Sequence, residues 1–175
     1  MNNELYLKIP TEQDEEEIMQ FRKEFLEVED RIPGSRALEK FEDYSEWLSK
    51  VNSDRNIETV EKGRVPSDLY ITVNKQTEKI VGIIQIRQSL NPYLEKFGGH
   101  IGDAIRPTER NKGYATTQIA LALEKCKELG IKKVLITCKD WNKASARTIE
   151  KNGGELENTL TDDDGNIFLR YWINL

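Results

Sequence analysis

One stretch of the chain, residues 98–154, constrains the fold most, because its hydrophobic pattern changes from strand-like to helical and back. A short apolar run over 101–105 precedes a polar turn, and a helical pattern then begins at Gly113 and ends at Gly130. The apolar positions of this helix are Ala115, Ile119, Ala122, Leu123, Cys126 and Leu129. A continuous β-branched run over 134–138 follows. The pattern predicts a strand, a helix and a strand, with the two strands as parallel neighbours.

The turn that opens this helix carries residues suited to an anion. Arg110 and Lys112 supply cationic donors, and Asn111 and Gly113 complete the turn. The first turn of a helix has unpaired N–H groups and a partial positive charge, and a glycine lets a ligand approach the backbone closely. The turn therefore predicts a site for a pyrophosphate. The alternative is an ordinary solvated turn, because a single glycine is a weak signal on its own.

The residues from Arg110 to Ala115 resemble a known signature. Arg110-x-x-Gly113-x-Ala115 is similar to the R/Q-x-x-G-x-G/A motif of the GNAT (Gcn5-related) N-acetyltransferases. The order of elements after it also matches, with a strand and then a helix that begins at Asn142 and ends in Lys-Asn-Gly at 151–153. The segments GGHIG, LITC, EKNGG and a terminal RYWI resemble the bacterial predicted-acetyltransferase branch of that family.

The resemblance implies the GNAT fold, an α/β (α+β) architecture. Its central sheet is mixed and mostly antiparallel, with about seven strands, a splayed parallel pair at the centre and about four flanking helices. The remaining patterns agree with this expectation. They predict strands over 5–9, 69–73, 80–86, 155–160 and 167–174, and helices over 12–28 and 38–51. We expect residues 1–175 to form a single GNAT domain.

In this family the signature binds acetyl-coenzyme A, so the resemblance implies acetyl-CoA as the cofactor. The residues implied to hold it are Ala104, Ile105, Arg106, Arg110, Asn111, Lys112, Gly113, Tyr114, Ala115, Asn142 and Ser145. Of these, 104–106 are expected to offer backbone groups to the pantetheine arm, with an N–H near Ile105 facing the thioester oxygen. Asn142 has the alternative role of a helix N-cap, and the two roles are compatible.

Proton transfer has several candidate groups. The base is His100, which has a suitable intrinsic pKa, or Asp103, and a regular strand would place the two on opposite faces. Many relatives carry a tyrosine acid where this chain has Ile149. The proton for the leaving thiolate then comes from Tyr171, Tyr114, Cys138 or water.

Composition excludes several classes of function. The net charge of −5 and pI of about 5.2 argue against a nucleic-acid partner. No run of about 18 apolar residues and no export signal occur, so we expect no membrane span and a cytoplasmic location. His100 is the only histidine and the two cysteines lie apart in sequence, so we expect no metal site. Many GNAT proteins form homodimers, which leaves that state open here.

The function implied by the resemblance is acetyl-CoA-dependent N-acetyl transfer to a primary amine, by direct attack in a ternary complex. The acceptor is a small molecule or a peptide, and the negative net charge favours a cationic one through electrostatic steering. The segment 32–47 is expected to border it. The missing tyrosine supports one alternative, a non-catalytic acyl-CoA-binding or sensing module on the same scaffold.

Overall fold

A computed structural model of the chain describes residues 4–175. The helices and strands are β1 (Leu5–Lys8), α1 (Glu15–Leu26), α2 (Tyr44–Ser53), β2 (Ser67–Asn74), β3 (Ile80–Arg87), β4 (Ile101–Ile105), α3 (Tyr114–Glu128), β5 (Lys133–Lys139), α4 (Lys143–Lys151), β6 (Glu155–Thr161) and β7 (Ile167–Asn174). A π-helical turn, Leu94–Gly98, precedes β4. Both β4 and β7 have the predicted ends. None of the helices within residues 4–175 has the length and apolar character needed to cross a bilayer.

The strands form two antiparallel sheets. The first has the order β1-β2-β3-β4 and the second the order β5-β7-β6. Tyr70 lies opposite Ile84 in the first sheet, and Ile136 lies opposite Tyr171 in the second. No ladder joins β4 to β5 within the described residues. The predicted α+β fold class is confirmed, and the expected splay at the centre corresponds to the place where the two antiparallel sheets meet, between β4 and β5.

The two sheets are joined at the start of β4. The His100 N–H donates to the Leu135 carbonyl at 2.7 Å, and the Leu135 N–H donates to His100 Nδ1 at 2.9 Å. The Thr137 hydroxyl donates to the Phe97 carbonyl at 2.7 Å. Beyond this junction no hydrogen bond links β4 to β5 in the described part of the chain, so the facing backbone edges stay open.

Two hydrophobic clusters lie on the two faces of the first sheet. Successive residues of β3 point to opposite faces, so Ile83 packs with α1 and α2 while Ile84 packs with α3 and the second sheet. Both faces are covered, which explains why β2 and β3 are almost entirely buried. Val28 and Leu129, which the helical pattern placed on apolar stripes, are exposed because each lies beyond the last residue of its helix.

The connection between α1 and α2 is held by buried polar contacts. The helix predicted over 38–51 is shorter than expected, because Phe41 is extended and α2 begins at Tyr44. Trp47 is fully buried and its indole N–H donates to the Ser35 carbonyl at 2.7 Å. The Arg36 guanidinium donates to buried Asp54 at 2.5 Å. Tyr44 and Trp47 therefore pack in the core, which corrects the expectation that the whole segment 32–47 borders the acceptor.

Gly34 brings this connection onto the middle of β4. Its φ is +71°, and a Cβ there would stand 2.1 Å from the Gly102 carbonyl oxygen and 2.6 Å from the Asp103 nitrogen. Neither backbone atom can move without disturbing the β3–β4 ladder. Only glycine fits this position without displacing the chain.

We predict that Gly34→Ala lowers the free energy of unfolding by about 3 kcal/mol, through left-handed strain and overpacking. The matched control is Gly63→Ala, where φ is +88° but no atom lies within 4 Å of the new Cβ. It should cost only about 1 kcal/mol. Urea unfolding of both variants checks this. Equal losses in the free energy of unfolding would show that the close approach of Gly34 to β4 does not matter for stability.

Candidate active site

The turn before α3 is built to present N–H groups. Asn111 and Gly113 both have left-handed backbone angles, with φ of 62° and 79°. Gly113 is the N-cap of α3, no side chain caps the helix, and no acidic residue lies in its first turn. A Cβ at Gly113 would meet no atom within 4 Å, so the space next to it is open. The long uncapped helix therefore directs free N–H groups into open space, where an anion can approach them.

The two cations of the turn are already paired. Arg110 contacts Glu29 at 2.6 Å, its guanidinium lies over the Phe25 ring at 5.2 Å, and its Nε donates to the Ile105 carbonyl at 3.2 Å. Lys112 pairs with Glu109 at 2.7 Å. Both ion pairs are partly exposed and individually weak. The backbone of the turn therefore carries more of the anion site than the two side chains do.

The backbone of β4 directs alternate groups toward β3. The Arg106 N–H donates to the Val81 carbonyl at 2.8 Å. Ala104 lies opposite Ile83, and the alternation of an antiparallel ladder gives it the same orientation as Arg106. The predicted backbone contacts of Ala104 and Arg106 with the pantetheine arm are therefore corrected, because their N–H groups face β3.

The other residues of β4 face the open edge. By the same alternation, the N–H groups of Asp103 and Ile105 point away from β3. The Ile105 carbonyl is already used by Arg110 Nε, which leaves its N–H as the free group at the end of β4. The N–H groups of Asp103 and Ile105 therefore both lie at the open edge of β4.

The Arg106 side chain is structural. Its guanidinium, 2% exposed, makes two hydrogen bonds of 2.7 Å to Glu24 and one of 2.6 Å to Glu17, and it donates to the Ile80 carbonyl at 2.9 Å. The Arg106 guanidinium lowers the pKa of Glu24 to about 2. This network fixes α1 to the chain between β4 and the turn. The acidic start of α1, predicted as a solvated face, contributes Glu17 to it.

His100 is a joint between the sheets. Nδ1 accepts the Leu135 N–H, so in the neutral ring the proton sits on Nε2 and the remaining lone pair is occupied. Burial, chiefly, and nearby Arg87 lower the pKa of His100 to about 4. A base must have a free lone pair, so this geometry does not suit the predicted role of His100 as the base.

Asp103 suits the role of the base better than His100, because its carboxyl group has a pKa near neutral pH. Burial raises the pKa of its carboxyl to about 6, although Gln118 Nε2 donates to it at 3.1 Å and lowers the pKa in part. Gln118 is fully buried and also donates to the Ile83 carbonyl at 3.3 Å. The sequence analysis missed Gln118. A glutamine within the apolar stripe of α3 was the available signal.

The start of α4 lies near the end of β5. The Asn142 carboxamide accepts the Ser145 N–H at 3.1 Å, so the N-cap role is present. The Ser145 hydroxyl contacts the Cys138 thiol, whose pKa is raised, chiefly by burial. Ile149 is buried in the core, as is Tyr171.

The predicted acids are poorly suited to donate a proton. The Tyr171 hydroxyl donates to Glu150 at 3.0 Å, and burial together with Glu150 raises the pKa of Tyr171 to about 12. A phenol of that pKa cannot readily protonate a thiolate whose own pKa is near 8.5. The Tyr114 hydroxyl accepts a hydrogen bond of 3.2 Å from the side chain of Asn74, the last residue of β2.

We predict that His100 makes stability fall with acid. The unfolded state binds more protons between the unfolded pKa of 6.5 and the folded pKa of about 4, so this contribution is lost as pH falls through that window. Between pH 7.5 and pH 5, the free energy of unfolding should fall by about 2 kcal/mol more in the unchanged protein than in His100→Gln. Urea unfolding at both values measures it. The pH dependence that Asp103 contributes has the opposite sign, but Asp103 is present in both proteins and its effect cancels. Equal losses of stability in the two proteins would contradict a buried neutral imidazole at His100.

Comparison with known proteins places this geometry in a family. The family model described as an acetyltransferase (GNAT) domain matches residues 4–155. A search of curated protein sequences finds no match. Among solved structures, a ribosomal L7/L12 α-N-protein acetyltransferase, RimL, in complex with coenzyme A superposes with a TM-score of 0.71, at 15% identity, over 99% of this chain and 96% of that one.

Two further structures have the same fold. The microcin C7 self-immunity acetyltransferase MccE, in complex with acetyl-CoA and AMP, gives a TM-score of 0.72 at 19% identity over 99% of this chain and 94% of that one. A GNAT-family acetyltransferase from Bacillus anthracis gives 0.68 at 19% identity over 98% and 95%. These identities support the fold alone. The family model, which spans most of the sequence, shows more: the chain belongs to the GNAT acetyltransferases, a family of acyltransferases.

Proposed function

We propose that the chain, acting as one GNAT domain, is an acetyl-CoA-dependent N-acetyltransferase that acts on a primary amine. One observation carries the proposal: the uncapped N terminus of α3 lies directly after the strand whose far edge is open. The first feature suits the pyrophosphate of coenzyme A, and the second suits an extended pantetheine arm. The RimL and MccE structures, which hold coenzyme A or acetyl-CoA, support this choice of cofactor.

Different groups of the chain would bind different parts of acetyl-CoA. N–H groups of 113–115 would hold the pyrophosphate, with Asn111 shaping the turn and Lys112 adding charge. The Ile105 N–H would donate to the thioester oxygen, and the Asn142 side chain, whose amide N–H₂ makes no hydrogen bond within residues 4–175, would meet the cofactor at the start of α4 together with Ser145. Acetyl-CoA supplies an activated acyl group with a thiolate leaving group.

Asp103 is the proposed base. The amine must be neutral when it attacks, and a carboxylate with a pKa near 6 accepts protons effectively near neutral pH. Gln118 holds the carboxylate on the α3 side of β4, so the proton would reach it through a water at the open edge. The Tyr171 hydroxyl keeps its proton and donates it in a hydrogen bond to Glu150, so solvent protonates the leaving thiolate.

The alternative function is a non-catalytic acyl-CoA-binding module. Ile149 in place of a tyrosine supports it. Thiol release in the presence of an amine separates the two functions, because a sensing module binds the cofactor without consuming it.

We predict that Gly113→Asp abolishes CoA binding, because a side chain and a negative charge enter the space that the phosphates need. Gly165→Asp is the matched control, with φ of +81°, no atom within 4 Å of the new Cβ and the same added charge in the β6–β7 turn. Calorimetric titration with CoA checks both variants. Equal affinities would contradict the anion site at the turn.

We predict that Asp103→Asn lowers kcat by about 10²-fold or more while CoA affinity stays unchanged. In the unchanged protein kcat/KM should rise with pH through about 6 as the carboxyl loses its proton, and the variant should lack this limb. The pH–rate profile with a reactive amine is the measurement. A limb that survives the substitution would remove Asp103 from the proton path.

A further inference from the structure

A cleft opens beside the junction of the two sheets, and it has a strong charge bias. Its volume is about 240 Å³. The lining residues are Gly63, Arg64, Val65, Ser67, Gln85, Arg87, Asn91, Tyr93 and Leu94. They come from the start of β2, the end of β3 and two loops. This set contains two arginines and no carboxylate, in a protein whose net charge is −5.

Arg87 is the central cation of the cleft. Its Nη1 donates to the Gly98 and Gly99 carbonyls, both at 3.0 Å, which fixes the side chain. No carboxylate lies within ion-pair distance of Arg87 or of nearby Arg31 among residues 4–175. Burial, first, and the positive charges of Arg64 and Arg31 lower the pKa of Arg87 to about 10. The guanidinium therefore stays charged at neutral pH, beside the two further cations Arg64 and Arg31.

Arg64 completes the charge at the rim. Its only ion pair in the described residues is a contact of 3.4 Å with Asp54, which already pairs with Arg36 at 2.5 Å. Asp54 is fully buried and does not itself line the cleft, although its carbonyl accepts the N–H of the lining residue Ser67 at 2.8 Å. Arg64 therefore has donors to spare for a ligand.

The cleft adjoins the middle of β4. Arg87 Nη2 lies 3.3 Å from the position that a Cβ on Gly102 would take, and Gly34 Cα lies at the same distance from it. The next residue along, Asp103, offers its N–H at the open edge. A molecule seated against Arg87 would therefore reach the point where the α1–α2 connection, β4 and the cofactor edge come together.

We propose that this cleft binds an anionic group, a carboxylate or a phosphate, on the amine that receives the acetyl group. The inference rests on the proposed acetyl transfer and specifies its acceptor class. Arginine suits planar and tetrahedral oxyanions because it presents several N–H donors in a fixed fork. The volume is below the range for drug-sized ligands and matches a charged head group. The charge of the cleft outweighs the negative net charge, which favoured a cationic acceptor only through long-range steering.

The test compares amines that differ only in the anionic group. The pairs are an amino acid and its carboxamide, and phosphoethanolamine and ethanolamine, with spermidine as the cationic arm. We expect the anionic member of at least one pair to have a KM at least tenfold lower, and the pair that shows it identifies carboxylate or phosphate. Arg87→Gln and Arg64→Gln should each reduce that preference by fivefold or more, whereas Lys132→Gln, which removes an exposed charge outside the cleft, should leave it unchanged.

A binding measurement separates this inference from the proposed function. Calorimetric titration of phosphoethanolamine and of the amino acid needs no acetyl-CoA and no turnover. Arg87-dependent binding without any thiol release would support the cleft and overturn the acetyl transfer. Efficient acetylation of spermidine or ethanolamine, with anionic probes neither bound nor preferred and both variants unchanged, would overturn the cleft and leave the acetyl transfer standing. Arg64→Gln keeps the test valid if Arg87→Gln fails to fold, because Arg64 is exposed and makes no hydrogen bond or ion pair with β4 within residues 4–175.

Discussion

The paired hydrogen bonds between His100 and Leu135 are the constraint on which the rest of the molecule depends. With the Thr137–Phe97 contact they join the backbone of the second sheet to the first where β4 begins, and no hydrogen bond joins β4 to β5 farther along within the described residues. Because the strands are held only at this end, the Asp103 and Ile105 N–H groups keep their hydrogen-bonding capacity for another molecule. A neutral imidazole suits this joint because one ring nitrogen can accept a backbone N–H deep in the structure.

Charges that resemble ligand-binding groups in the sequence have different roles in the structure. Arg106 is neutralised by Glu17 and Glu24 and holds α1 against the chain that leads to the turn. The Arg110 guanidinium lies over the Phe25 ring and forms an ion pair with Glu29. Arg87, which carried no signal in the sequence, keeps its charge unpaired in the described residues. In the proposed function, backbone N–H groups and one distant arginine take the ligand-binding roles that the sequence suggested for side chains near the signature.

Local patterning predicted most elements of the fold. Short apolar runs located β4 and β5, and a period of three to four located α3, because the apolar residues of these elements are buried. It failed where tertiary contacts override the period, as at Phe41, whose extended backbone lets Ser35 and Trp47 meet. The signature predicted the turn at Gly113. The free edge of Ile105, the lone pair of His100 and the cleft at Arg87 depend on register and on contacts between residues far apart in sequence, which no local pattern contains.

The cleft around Arg87 has a further consequence for how such proteins diversify. Its rim is formed by 63–65 and 91–94, of which only Leu94 is deeply buried, while the cofactor turn is anchored separately through Arg106 and α1. If the cleft binds the acceptor as proposed, replacement of these rim residues changes its shape and charge without disturbing either hydrophobic cluster. The scaffold is therefore modular: one half can remain constant for a common acyl donor while the other is exchanged, in nature or by design, to accept new amines.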